Sequence, residues 1–175
     1  MPPEASGNEV SGEGIFAPKR LVKALEEVTS EVFATMLSGV TKLIGSESSA
    51  AGDDSARVNI EATIEFDGDQ TGTVVLRCTA DGAIDITRGL LMLDDQDPIE
   101  LDEVQDAIGE CANMMAGSLK AKVLDPFGTF FLGLPQIETH AVVEDEQERC
   151  GSLVYELTDG HAVVEIWLKP EAEAA

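Results

Sequence analysis

The sequence predicts a single α+β domain in which a mostly antiparallel sheet packs with two long helices. Three observations favour this class. In two long segments apolar residues recur at three- and four-residue steps, which is typical of amphipathic helices. Several shorter segments alternate apolar and polar residues, which is typical of half-buried strands. Helical and strand segments occur in separate blocks, which argues for an α+β sandwich of a sheet and packed helices.

The first half of the chain predicts one long helix followed by two strands. The apolar stripe of the helix consists of Leu21, Leu25, Val28, Val32, Met36 and Val40, widened by Val22, Phe33, Leu37 and Ile44. Gly45 is placed to end this helix. Residues 58–66 and 72–78 are predicted as paired strands because Asp67-Gly68-Asp69 between them is typical of a turn.

The second half predicts two helices and three strands. The helices are a short one over Asp85–Leu93 and a long one over about Asp102–Leu124, capped by Asp102 and stopped by Asp125-Pro-Phe-Gly128. The strands are Gln136–Val143, Ser152–Thr158 and Ala162–Leu168. Asp159-Gly160 indicates a hairpin between the last two strands. The predicted sheet therefore has five strands.

Length and composition bound the organisation of the chain. Its 175 residues predict one domain over residues 19–170, with a flexible acidic leader over 1–18 and a C-terminal tail over 171–175. With 34 acidic residues against 11 basic ones the net charge is −23, which excludes autonomous binding to nucleic acid or to an anionic membrane. The three cysteines lack CxxC spacing and the N-terminus lacks a secretory signal, so we expect a cytoplasmic protein with reduced thiols.

The long helix over Asp102–Leu124 carries the candidate site. On a helical wheel its buried stripe consists of Val104, Ile108, Cys111, Ala112, Met115 and Leu119. Asp106, Glu110, Asn113 and Gly117 lie together on the opposite face, where Glu110 and Asn113 project side by side. Asn and Gly are poor helix formers, so their presence on an exposed stripe indicates a surface shaped for a partner.

This segment resembles a known family. Asp106-Ala-Ile-Gly-Glu110-Cys-Ala-Asn113-Met-Met-Ala-Gly117 is similar to the signature helix of the CheC/CheX/FliY phosphatases of bacterial chemotaxis, and its continuation is closest to the CheX branch. Leu134-Pro135-Gln136-Ile137 is similar to the Leu-Pro-x-Ile that opens a strand in CheX-like proteins. In the CheC branch the first helix carries a second motif, but here Ala34 follows Glu31 where Asn is required. The resemblance therefore implies one active helix per chain.

The resemblance implies a phosphatase that hydrolyses the aspartyl phosphate of a phosphorylated CheY-like response regulator. Asn113 would orient the attacking water, Glu110 would pair with the regulator's lysine, and Asp106, Met114 and Gly117 would contact the regulator. The regulator would supply magnesium, so we expect no metal or cofactor bound by this chain. The resemblance also implies a homodimer. Asn suits its role because its short amide carries both a donor and an acceptor.

Other functions rank lower on the same residues. Cys111 lies on the buried stripe, and only His140 and His161 could serve it as a base, so core packing is favoured over a thiol nucleophile. The acidic run from Asp94 to Glu103 lacks the glycine and glutamate positions of an EF-hand, and no glycine-rich phosphate loop occurs. Two alternatives to the enzyme stay open: a non-catalytic binding module, and a structural dimerisation domain.

Overall fold

The computed structural model describes residues 14–37, 41–47, 59–139 and 147–170. Within these residues the elements are, in chain order, α1 (Pro18–Met36), β1 (Lys42–Glu47), β2 (Ile60–Asp67), β3 (Gly72–Cys78), α2 (Ala80–Leu91), α3 (Leu101–Leu119), a π-helical turn (Lys120–Leu124), β4 (Phe131–Leu132), β5 (Gln136–Glu138), β6 (Glu148–Glu156) and β7 (His161–Leu168). The α+β class and the two long helices, α1 and α3, are confirmed.

The described strands form one sheet in which every pairing is antiparallel. Its order is β1-β6-β7-β3-β2-β4, and β5 also pairs with β2. Helix α1 packs against β6 and β7, whereas α3 packs against β2, β3 and β5, and the two helices contact each other. A continuous apolar core lies between these helices and the sheet, and its largest fully buried side chains include Phe33, Phe66, Ile108 and Tyr155.

The face of the sheet that points away from the core carries a buried charge network. Arg77 on β3 lies between Glu61 on β2 and Glu165 on β7, with N–O distances of 2.6 and 2.9 Å. Arg149 on β6 contacts the same Glu165 at 2.9 Å. Only 2% of the Glu165 side chain is exposed, so its charge depends on these two guanidinium partners. The network therefore ties four neighbouring strands into a rigid platform beneath the helices.

The structure corrects the extent of the first helix. It ends at Met36, and Leu37 has an extended backbone with φ −99° and ψ 123°. Residues 42–45, predicted as its last turn, belong to β1, which pairs with β6. Leu37 and Ile44 fit the helical period by coincidence, since pairing with a strand more than 100 residues away overrides local propensity. Val40 lies outside the described residues.

The predicted boundaries of the other helices were also wrong. Helix α2 begins at Ala80, not Asp85, because the Thr79 hydroxyl accepts a hydrogen bond from Gly82 N–H at 3.1 Å and caps it. Helix α3 is capped by Glu100 instead of Asp102, since Glu100 N–H donates to the Glu103 carboxylate at 2.8 Å. Its last predicted turn, Lys120–Leu124, is π-helical.

The described part of the chain contains seven strands where five were predicted. The additional strands are β1 and the two-residue β4. The predicted strand over residues 136–143 is described only up to residue 139, and of it residues 136–138 form β5. The predicted leader and tail stay predictions because residues 1–13 and 171–175 lie outside the described ranges; α1 already begins at Pro18.

Candidate functional site

Helix α3 holds the candidate site on a fixed support. Its side facing the core buries Ile108, Cys111, Ala112, Met115 and Leu119 as predicted, whereas Val104 is only half-buried. Asp102 and Glu103 lie in its first turn, where negative charge stabilises the amino end of the helix dipole. The buried face of this nineteen-residue helix and its capped start fix the position of the α3 backbone. The Cα atoms of the residues on its outer face are therefore held in fixed positions.

The predicted polar face of α3 lies on the protein surface. Asp106, Glu110 and Asn113 are all exposed and lie at three- and four-residue spacing on one side of α3. Within the described residues, neither Glu110 nor Asn113 forms an intramolecular hydrogen bond or ion pair. A carboxylate and a neighbouring carboxamide thus point outward with their bonding capacity unused by this part of the fold. Such a pair can bind groups supplied by another molecule.

Gly117 and Met114, the other two predicted contact residues, have different surroundings. A Cβ atom built on Gly117 would meet no described residue within 4 Å, so the glycine leaves a bare patch of helix backbone one turn beyond Asn113. No steric demand of the described residues explains the glycine. Met114 is half-buried and packs against the apolar core, so only part of its side chain is available to a partner.

The buried side of α3 contains a thiol directly next to Glu110 in sequence. Burial, with a smaller contribution from the Glu110 charge, raises the pKa of Cys111 to about 12. Burial also raises the pKa of Cys78 well above its ordinary value, and Cys111 adds to that shift. Both thiols are therefore protonated at neutral pH. The prediction that Cys111 is a core residue is confirmed; His161 is on β7, and His140 lies outside the described residues.

The acidic connection before α3 is an ordered turn. Asp94 N–H donates to the Asp97 carboxylate at 2.8 Å, and Asp97 N–H donates to the Asp94 carbonyl at 3.0 Å. An Arg88 Nη2 donates to the Asp95 carbonyl at 3.0 Å. Among the described residues, no three His, Cys, Asp or Glu side chains are grouped in a way that could hold a metal ion. The turn serves to lead the chain from α2 into the capped start of α3.

Sequence reasoning missed one neighbour of the site. A Cβ atom built on Gly109 would lie 3.3 Å from Ile137 Cδ1 and 3.6 Å from Pro135 Cβ. Pro135 and Ile137 thus lie against α3 between Asp106 and Asn113, although both residues come after the end of this helix in the sequence. Their sequence was noted only as a family likeness, because no local pattern reveals a contact between residues so far apart.

The fold and the exposed polar helix define a class of protein, an α+β domain with an outward-facing Glu-x-x-Asn pair. The profile of the family described as "Chemotaxis phosphatase CheX" matches residues 60–158, more than half of the chain. The chain belongs to the CheX family. A search of curated protein sequences finds no match.

Solved structures share the fold. CheX from Desulfovibrio desulfuricans superposes with a TM-score of 0.69 at 21% identity, covering 85% of this chain and 99% of its own. CheX from Vibrio vulnificus gives 0.70 at 21% identity, with coverages of 85% and 99%. CheX in the CheX–CheY–BeF3–Mg2+ complex from Borrelia burgdorferi gives 0.64 at 14% identity, with coverages of 85% and 96%. None of the described helices is long and apolar enough to cross a membrane.

Proposed function

We propose that this chain is a phosphatase that hydrolyses the aspartyl phosphate of a CheY-like response regulator. The family carries a CheY-phosphatase-like role in chemotaxis, and a structurally similar CheX has been crystallised with CheY and BeF3. The observation that carries the proposal is the outward-facing pair of Glu110 and Asn113, free of intramolecular partners within the described residues. A pair with unused bonding capacity is suited to enter the active site of another protein.

Hydrolysis of an aspartyl phosphate depends mainly on positioning the attacking water, because the phosphoryl group is already activated. In the hydrolysis, a water oxygen attacks phosphorus, the bond from phosphorus to the aspartyl oxygen breaks, and the products are an aspartate carboxylate and dihydrogen phosphate. The aspartate carboxylate is already a good leaving group, so the main tasks are to hold water in line and to stabilise charge. The Asn113 amide can accept a hydrogen bond from the water and donate another to the phosphoryl oxygens. Neither step forms a covalent bond to this chain.

Glu110 has an electrostatic role in this proposal. Its carboxylate would pair with the regulator's active-site lysine, which fixes the position of α3 relative to the phosphoryl group. Asp106, the exposed part of Met114 and the bare backbone at Gly117 would contact the surrounding regulator surface. Magnesium belongs to the regulator in this arrangement, so this chain contributes neither metal ligands nor a nucleophile.

Asn113→Ala is the direct test of the proposal. Because the side chain is exposed, the variant should keep the fold and its affinity for a receiver, yet lose about 100-fold or more of the acceleration. Phosphate release from CheY-like receivers of the same organism, phosphorylated with a small phosphodonor, measures this rate. Wild-type acceleration that survives in Asn113→Ala would contradict the role of Asn113. Binding without acceleration by the wild type would instead identify a non-catalytic binding module.

Two further properties belong to the same proposal. A receiver phosphatase works in the cytoplasm, where the three free thiols at Cys78, Cys111 and Cys150 stay reduced.

We also propose a homodimer, since β1 pairs only with β6 among the described strands and leaves one edge of the sheet open. Light scattering after size exclusion should give about twice the 18.6 kDa of one chain, and a mass of one chain would contradict the dimer.

A further inference from the structure

The segment between β4 and β5 is fixed to the sheet at both ends. Phe131–Leu132 pairs with β2 at Asp67 and Phe66, and Gln136–Glu138 pairs with β2 at residues 61–63. Between them, Gly133 N–H donates to the Glu65 carbonyl at 2.8 Å. Residues 133–135, named here the strap, therefore bulge from the sheet while their flanks stay hydrogen-bonded. A short bulge with both ends held has little freedom to move.

The strap lies next to the polar face of α3. Pro135 Cβ is 3.6 Å and Ile137 Cδ1 is 3.3 Å from the point where Gly109 would carry a Cβ atom. Gly109 sits four residues before Asn113 and three after Asp106, so the contact falls on the flank of the candidate site. A Cβ atom on Gly109 would make an ordinary contact with Pro135 and would crowd only the Ile137 side chain, so the strap lies at van der Waals distance from the helix. The strap and the Glu110–Asn113 pair consequently border one surface.

Leu134 projects from this strap into solvent and is 86% exposed. Its backbone is restricted to extended conformations because a proline follows, so the side chain is presented from a fixed position. A single exposed leucine is ordinary on a protein surface. The distinguishing features here are the anchored backbone and the position beside two polar groups that lack intramolecular partners within the described residues.

Phe131 offers a contrast within the same stretch of chain. It is 67% exposed and pairs with Asp67, whereas its neighbour Leu132 pairs with the buried Phe66. Directly opposed residues on antiparallel strands point to the same face, so Phe131 points away from the helices. Leu134 directly precedes Pro135, which contacts α3 at Gly109, whereas Phe131 lies on β4, so only Leu134 belongs to the strap that borders α3.

We propose that Leu134 is the apolar anchor by which this chain docks to its phosphorylated receiver; the inference rests on the proposed function. Helix α3 carries four acids and no basic residue between Leu101 and Leu119, which complements the cationic lysine of a receiver and orients the approach. The charge-assisted pair between Glu110 and that lysine contributes about 10- to 100-fold in affinity. Burying a leucine contributes about tenfold or more, so the strap supplies affinity that Glu110 alone does not.

The test compares Leu134→Ala with the matched variant Phe131→Ala in the full chain. Affinity is measured by titration against a fluorescently labelled CheY-like receiver held in its activated form by beryllofluoride and Mg2+. Leu134→Ala should weaken binding about tenfold and Leu134→Asp more, whereas Phe131→Ala should leave it unchanged. In phosphate-release assays, Leu134→Ala should raise KM and leave kcat near the wild-type value. Far-UV circular dichroism and Tm check that each variant is folded.

The outcomes separate this inference from the proposed function. A wild type that neither binds nor accelerates any receiver would overturn the proposed function, and the docking role of Leu134 with it. A wild type that binds a receiver, alongside equal affinities for Leu134→Ala and Phe131→Ala, would overturn the anchor alone. A loss confined to kcat would also overturn it, because an anchor acts on binding and not on the chemical step.

Discussion

The two long helices of this protein share a scaffold but differ on their outer faces. Each is nineteen residues long, each buries an apolar stripe against the same sheet, and they pack on each other. On α3 the exposed face presents Glu110 and Asn113 without intramolecular partners in the described chain. On α1 the comparable spacing gives Glu31 and Ala34, both exposed. The outer faces therefore carry the difference that bears on binding a partner.

The glutamates of the two helices differ in their bonding, in addition to the Asn side chain that α1 lacks at position 34. The Glu31 carboxylate forms an ion pair with Lys122, which lies on the π-helical turn that continues α3. The Glu31 carbonyl also accepts a hydrogen bond from the Thr35 hydroxyl at 2.9 Å. Glu31 is therefore engaged in holding the two helices together, whereas Glu110 is not engaged within the described residues. The comparison teaches that a carboxylate available to a partner is one that the fold itself does not use.

The sharpest test of this comparison makes the same substitution on both helices. Glu110→Ala should weaken binding to an activated receiver by about 10- to 100-fold, because it removes one member of a charge-assisted pair. Glu31→Ala is the matched control and should leave that affinity unchanged, with a small loss of stability. The measurement is a titration against a beryllofluoride-activated receiver. Equal losses from the two variants would show that the overall negative charge of the chain, and not the position on α3, governs binding.

The outer face of α3 could be predicted from the sequence because helical periodicity is a local signal. Apolar residues three and four positions apart locate the core, so the position of Glu110 and Asn113 on the opposite side follows from geometry alone. The end of α1 could not be predicted in this way, since Ile44 continues its period and the pairing of β1 with β6 depends on distant residues. The strap was missed for the same reason: its contact with Gly109 joins separate parts of the chain.

The starts of the helices could be predicted from the sequence only in part. Thr79 and Asp81 are the usual residues for a helix start, so α2 could have been placed correctly from the sequence. At α3 several acids in a row offered more than one candidate cap, and the reciprocal bond between Glu100 N–H and the Glu103 carboxylate decides between them only in three dimensions. The site itself survived this error because it lies more than a turn inside the helix.

The buried faces of the two helices differ in one titratable group, Cys111 on α3. Its pKa of about 12 in the folded protein lies above that of an unfolded thiol, so the unfolded chain releases its proton first as pH rises. Stability should be constant below about pH 8 and fall by roughly 1–2 kcal/mol from this group by pH 10. Urea unfolding at pH 7, 8.5 and 10 measures the change. Cys111→Ala should show a shallower decline, and an equal decline would contradict the assignment.

The variant Gly117→Ala tests whether the glycine on α3 lowers the stability of the protein but lets a receiver approach the helix backbone. A Cβ atom there meets nothing within 4 Å in the described part of the chain, so Gly117→Ala should stabilise the free protein by about 0.5–1 kcal/mol and raise Tm by a few degrees. The same methyl group should weaken receiver binding severalfold if the partner approaches the bare backbone. Thr35→Ala on the exposed face of α1 is the control, expected to leave affinity unchanged. A stabilised Gly117→Ala variant with full affinity would remove Gly117 from the interface.

The smallest expected effect is the most demanding test of the comparison. Placing the missing amide on α1, as Ala34→Asn in an Asn113→Ala background, should restore no phosphate release, because Glu31 remains paired with Lys122. Adding Lys122→Ala would free that carboxylate without altering α3 before its π-helical turn. Activity regained by Ala34→Asn alone would show that the residue pair suffices on either helix. Activity regained only in the triple variant would instead show that intramolecular pairing is what silences α1.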